Sequence, residues 1–445
     1  MRTMSRRNLL GVSAGALALG GLSACGGGKS ATDQGGGNNE ASGDGGKGGY
    51  DGPAVTLAFW NGFTGGDGAY MKKIVDAFHK EHDNIKVEFN TMQWSDFYTK
   101  LPTAVSSGKG PDICVMHVDS VATNAARNVI QPLDDVAKAL DLKGEDFAEV
   151  PWKAGIYKDK RYSLPLDVHP LGFFYNKAVM EKAGLDPEQP PMTFDAYMDA
   201  LDKLKGKGIK GHWASPHLFT GGQSMQSLIY QFGGSMYNDD ATEATWNSPE
   251  AVKAFEWWLG LVKDGHSPSK VAQDADFIAL QNGECAFNWN GIWAINTLGE
   301  KKDLEWDVVR LPNIGGQDAA WSSSHQMALP VQNKPDENKQ QASRVFLNYV
   351  SEQSVEWAKG GQVPARNEVR ESEEFKKLEH QPKFAEQIDV LHFPPTIPGI
   401  GDVGAEFDKA LNNVMLGGKD LKSELDASVS RANKLLEANR KKYEG

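Results

Sequence analysis

Residues 160–177 read KRYSLPLDVHPLGFFYNK, an apolar, β-type run that carries Pro165 and Pro170 with Asp167 and His169 between them. Proline donates no ladder hydrogen bond and is confined to sheet edges, strand ends and bulges. A run punctuated in this way predicts a strand that leaves one structural unit and enters another. The rhythm around it agrees, because an alternation of strands and helices stops before it and restarts after it. Residues 164–166 are therefore expected to form a hinge strand, with Asp167 and His169 on the floor of a cleft. For His169 the alternative is a packed hinge histidine.

The N-terminus reads as a processing signal. Arg6 and Arg7 precede a Gly/Ala-rich run over residues 9–22, too short and weakly apolar for a span of about 20 residues. The arginine pair resembles a twin-arginine export signal, and the LSAC that ends at Cys25 resembles a lipobox. That implies a signal over residues 1–24, lipidation of Cys25, and anchorage to the outer face of the cell membrane. Residues 25–52 are dominated by Gly, Asn, Ser, Asp and Ala and predict a flexible tether. GKS at 28–30 is not a phosphate-binding loop, since Ser23 stands where that motif needs glycine. Cys114 and Cys285 fall in separate strand-like core runs and read as buried free thiols.

Roughly 390 residues remain, more than one core usually supports. They predict an α/β protein of two lobes, 53–163 with 321–360 and 164–320 with 361–445, joined by hinge strands around a central cleft. The opening is a βαβ unit, with a strand at 55–60, the glycine-rich turn NGFTGGDG, a helix carrying Met71, Ile74, Val75 and Phe78, and a second strand at 85–89. Ligands bind at the carboxyl ends of such strands, which marks Trp60, Asn61 and Asp67 as candidates. Asp67 serves either the ligand or only the turn. The strand over 113–118 ends at His117 and Asp119; Asp119 would accept from a ligand or cap a helix. In the second lobe a strand is expected over 209–215, ending near Trp213, and a helix opening at Gly291 that turns free N–H groups to the cleft. The GGQVPAR segment around Arg366 is a further crossing.

The net charge is −12, and loss of Arg2, Arg6 and Arg7 with the signal makes the mature chain more acidic still. Such a chain has no electrostatic reason to bind nucleic acid.

Taken together, GKGPDI at 108–113, LPL and FFYNKAVMEKAGL within 164–185, PPMTFD at 190–195, NGECAFNWNGIW at 282–293 and VVRLPNIGGQ at 308–317 resemble the sugar-binding proteins of bacterial ABC importers, the group that includes the maltose-binding proteins. The resemblance implies a type II periplasmic-binding-protein-like fold. It also implies a monomer that closes on a sugar and delivers it to permease subunits, without catalysis, cofactor or metal. It places Asp119 at a position used on sugar hydroxyls, His169 at a pocket acid and Trp293 at a stacking aromatic. Met116 and Gly404 stand where the maltose-binding group has stacking tryptophans, which points to a mono- or disaccharide or short oligosaccharide.

A sugar site pairs aromatic planes with hydroxyl partners. Trp60, Trp213, Trp293 and Trp321 supply candidate planes; Ser323 and Arg366 add polar groups. Two rivals remain, an extracellular glycoside hydrolase and a binder of another polyol such as glycerol phosphate. A hydrolase needs two carboxylates about 5–9.5 Å apart, and the adjacent pairs Asp134/Asp135 and Asp239/Asp240 look solvated. His79 and His82 are three apart, not the four of a zinc-protease helix.

Overall fold

The computed structural model describes residues 49–443; the signal, Cys25 and most of the proposed tether lie outside them. Strand β1 (Val55–Asn61) runs parallel to β2 (Ile85–Thr91) and to β3 (Ile113–His117). The intervening helix Gly68–Glu81 buries Met71, Ile74, Val75 and Phe78 against them, the 3.6-residue stripe visible in the sequence. A short hairpin follows, β4 (Ile156–Tyr157) with β5 (Lys160–Arg161). Then come β6 (Leu164–Pro165) and β7 (Asp167–Asn176), all ten residues of the latter buried. The remaining strands are β8 (Phe287–Gly291), β9 (Trp306–Val309), β10 (Ala320–Ser323), β11 (His325–Ala328), β12 (Val363–Pro364) and β13 (Leu391–His392).

These strands make two principal sheets. The first has the order β2-β1-β3-β11-β6; the second has β12-β7-β10-β13, with β8 and β9 also paired to β7. One core of the first lobe gathers Leu57, Phe59, Phe78, Val115, Leu164, Met327 and Phe346. Another, on the opposite face, gathers Phe97, Leu101, Cys114, Met116, Val121 and Ala328. The second lobe is built around Phe173, Tyr197, Trp258, Phe287 and Trp289, and its core receives Phe407, Leu411, Leu425 and Leu436 from the C-terminal helices Ile400–Met415 and Leu421–Tyr443.

The chain passes between sheets at three places that are bonded to one another. Leu166 separates β6 from β7, and Ser324 separates β10 from β11. The Leu166 N–H donates to His325 O at 2.8 Å, and the Ala365 N–H donates to Leu166 O at 3.2 Å. The crossings differ from expectation by a few residues. Leu164 and Pro165 pair with Met327 and Gln326 in the first sheet. Ser322 and Ser323, expected with the first lobe, pair with Pro170 and His169 of β7. The long buried β7 recruits every strand that reaches it, so the crossing falls at Leu166, within the 164–166 segment expected as a hinge.

Two further expectations are corrected. Residues 209–215 form no regular strand; their one bridge is His212 to Phe287. Gly291 ends β8, and the next helix begins only at Ala294. Cys114 and Cys285 are buried and free, in different cores. Among the described residues no helix is long and apolar enough to cross a membrane.

Candidate functional site

A cavity of about 380 Å³ is lined by both lobes. The first lobe contributes the Gly62–Asp67 turn, Gln93, Trp94, His117 and His325, and Gln362 lies beside them. From the second lobe come His169, Phe219, Thr220, Gln223, Asn290, Trp293 and Trp321.

Each wall carries an indole lying across a glycine. A Cβ on Gly62 would stand 2.0 Å from the Trp94 ring, and one on Gly291 would stand 2.1 Å from the Trp293 ring. Only the bare backbone permits so close an approach. Trp94 then stacks on His325 at a centroid distance of 5.7 Å and 14°. Trp293 meets Trp321 nearly at right angles, 84° with centroids 6.5 Å apart, and the backbone N–H of Trp321 donates to Ser227 Oγ at 2.8 Å.

Beneath the cavity Asp167 is wholly buried. It accepts the His325 N–H at 2.9 Å, His325 Nδ1 at 2.7 Å, His169 Nδ1 at 3.0 Å and Trp357 Nε1 at 2.7 Å. Burial opposes the charge, but the His325 and His169 partners outweigh it and hold the carboxyl well below the usual carboxylate range. Burial, with His325 adding to it, lowers His169 to about 4. The same two causes put His117 well below the ordinary histidine value. Asp67 is buried and shifted upward by desolvation; its Oδ1 has no hydrogen-bond partner.

Of the residues singled out from sequence, Asp67, His169, Trp293 and Trp321 line this cavity. The others lie elsewhere, each for a local reason. Trp60 and Met116 sit on strand positions that face the core containing Phe97 and Val121, because side chains alternate along a strand. Asn61 is buried, and its Oδ1 accepts from the Phe63 N–H and the Thr91 hydroxyl to shape the turn. Asp119 is in the first turn of the helix Val118–Ala126, whose N-cap is His117. It faces a separate cavity of about 370 Å³, with Thr123, Arg127, Gly399 and Asp402. Asp167 is the buried hub just described, not a lining group. Trp213 packs beside the core that includes Leu280 and Ile292. Gly291 supports Trp293 from beneath, Ser323 is a buried β10 residue paired with His169, and Arg366 donates to Ser351 Oγ at 2.8 Å and lies over Phe147.

Sequence reasoning assigned no role to Trp94, His117 or His325. The strand-end rule that selected Asp119 fits His117 better, since it is the last residue of β3. His325 carries no local signal, because its placement comes from antiparallel pairing with His117 across β11 and β3.

Residues 63–355 match the family described as bacterial extracellular solute-binding protein. The chain belongs to that family. The sn-glycerol-3-phosphate-binding periplasmic protein UgpB of Escherichia coli K12 is 25% identical over 411 residues, covering 86% of this chain and 92% of the relative. A solute-binding protein from Thermotoga lettingae bound with α-D-tagatose superposes with a TM-score of 0.75 at 24% identity, over 86% of this chain and all of the other. The cyclic α-maltosyl-1,6-maltose binding protein of Arthrobacter globiformis gives a TM-score of 0.72 at 22% identity, over 87% of this chain and all of the other. The fold is thus the two-lobe, type II binding-protein fold. Like its relatives, this solute-binding protein serves as the substrate-binding component of an ABC importer, outside the cytoplasm. Those relatives are transport proteins, and they do not favour the glycoside-hydrolase alternative.

Proposed function

We propose that this solute-binding protein captures a short, neutral sugar in the interlobe cavity and hands it to ABC permease subunits, working as a monomer tethered through lipidated Cys25. The observation that carries this reading is the perpendicular Trp293/Trp321 pair facing amide, carboxyl and imidazole groups. Indole planes suit the C–H faces of a sugar, and the polar groups suit its hydroxyl rim. A volume of about 380 Å³ is near the lower end of the ~300–1,000 Å³ usual for small-molecule sites, which favours a mono- or disaccharide. Asp67, His169, Trp293 and Trp321 are the proposed contacts, joined by Gln93 and Asn290.

Glycerol phosphate, named for the UgpB relatives, is the second reading. A phosphate ester is best held by arginine or lysine, and among the described residues neither type lines the cavity. The carboxyl there, Asp67, offers an anionic ester no counter-charge. The lipobox and arginine pair support the anchor and the export route.

A thermal-shift panel of mono- and disaccharides and sn-glycerol 3-phosphate, run on chelator-treated protein, tests the choice. A sugar that raises the melting temperature without being consumed supports the proposal. Stabilisation by glycerol phosphate alone would sink the sugar reading, and release of a hydrolysis product would sink the receptor reading.

A further inference from the structure

Three histidines from three strands meet at the cavity floor: His117 ends β3, His169 lies in β7 and His325 opens β11. One ring nitrogen of each lies within 4.8 Å of the other two, and the ring centroids are 5.8, 5.2 and 4.3 Å apart. Every Nδ1 is already engaged. Those of His169 and His325 face the two oxygens of Asp167 at 3.0 and 2.7 Å, and that of His117 is 2.7 Å from Tyr98 Oη. Among the described residues no hydrogen bond is made at the three Nε2 atoms.

Donation of Nδ1–H to a carboxylate leaves the lone pair on Nε2. Tyr98 Oη already accepts the His117 backbone N–H at 2.9 Å and is able to accept Nδ1–H as well, which frees the third lone pair. A histidine bonded through one nitrogen to a carboxylate or other oxygen, with the second nitrogen free, is the arrangement found around protein-bound zinc. Asp67, buried and with Oδ1 unpartnered, adds a free oxygen acceptor to the same cavity.

We propose that His117, His169 and His325 form a three-histidine site for a divalent transition metal of the zinc class, with Asp167 and Tyr98 orienting the ligands. Zn–N bonds of about 2.0–2.1 Å in a tetrahedral site put the nitrogens ~3.4 Å apart, so binding draws the three rings closer together than they now stand. Imidazoles without thiolate suit zinc, copper or nickel. Three protein ligands leave a position open, the arrangement of sites that accept an exogenous oxygen, and that position faces the cavity. Residues 117, 169 and 325 have no motif spacing, which is why the sequence led to an expectation of no metal. The site stands on its own geometry, whether or not the solute is a sugar.

The test uses the full chain, made without a polyhistidine tag and stripped with a chelator. Zinc is titrated by calorimetry and cobalt(II) by visible absorption. One equivalent is expected, with the intense d–d bands of low-coordinate cobalt. His117→Gln, checked for folding by circular dichroism, should weaken this step by about 100-fold or more, and Tyr98→Phe by roughly 10- to 100-fold. Arg366→Ala, outside the cavity, should leave it unchanged. Wild-type protein that takes up no stoichiometric zinc at micromolar concentration overturns the proposal whatever the variants do. So does undiminished binding in folded His117→Gln. The sugar panel on zinc-free protein reports separately on the solute.

Discussion

The two walls of the cleft use one device for different ends. In each, an indole rests on a glycine where a Cβ would press into the ring, Trp94 on Gly62 and Trp293 on Gly291. Trp94 is then enclosed by the rings of His117 and His325, with centroids 4.3 and 5.7 Å away, and becomes part of a rigid floor tied to Asp167. Trp293 instead meets Trp321 edge to face and leaves apolar surface toward the cavity. The difference teaches that an aromatic at a cleft is a ligand platform only when its neighbours leave a face free; otherwise it is scaffold.

Breaking the floor should have the largest effect. Asp167→Ala leaves four donors without their acceptor and is expected to cost about 3–5 kcal/mol in urea unfolding. The floor also predicts a pH dependence. His169, at about 4 in the fold against ~6.5 unfolded, binds fewer protons folded than unfolded, so stability falls as pH drops from ~6.5 toward 4. Asp167 is depressed; its contribution is present above its unfolded value of ~3.9 and is lost only on further acidification. Unfolding free energies measured in chelator should therefore decline by roughly 1–3 kcal/mol between pH 6.5 and 4, and His169→Gln should flatten that slope.

The aromatic pair sharpens the contrast. Trp293→Ala should weaken solute binding by about 10- to 100-fold in calorimetry, as expected for a truncated anchor, with a smaller loss of melting temperature than Trp94→Ala. Equal losses of stability would erase the distinction between platform and scaffold. Gly291→Ala should act through Trp293 alone, displacing the ring at a cost of about 1–3 kcal/mol and lowering affinity while the first lobe is unaffected. The smallest effect is expected at Arg366. Its guanidinium serves Ser351 and Phe147, so Arg366→Ala should leave affinity unchanged and cost about 1 kcal/mol of stability.

Much of this could be read in the chain. The 3.6-residue stripe of Met71, Ile74, Val75 and Phe78 located the first helix, and the two-proline run marked a passage between sheets. Local rules failed where a side chain's direction depends on the partner strand. Asp119 and His117 are two residues apart, yet the strand ends between them, so His117 faces one cavity and Asp119 another. Trp60 is marked by its place near a strand end and Met116 by the resemblance, but the strand alternation turns both to a core.

Composition, periodicity and the broken β run at 160–177 thus determined by themselves that this is an α/β chain in two lobes with a crossing at its centre, because those properties depend on neighbours in sequence. That Asp167 would be a buried pin and not a ligand contact, and that His117, His169 and His325 would converge above it, was decided only by the tertiary structure. Those residues come from strands up to 208 positions apart, and pairing of β3, β7, β10 and β11 is what brings them together.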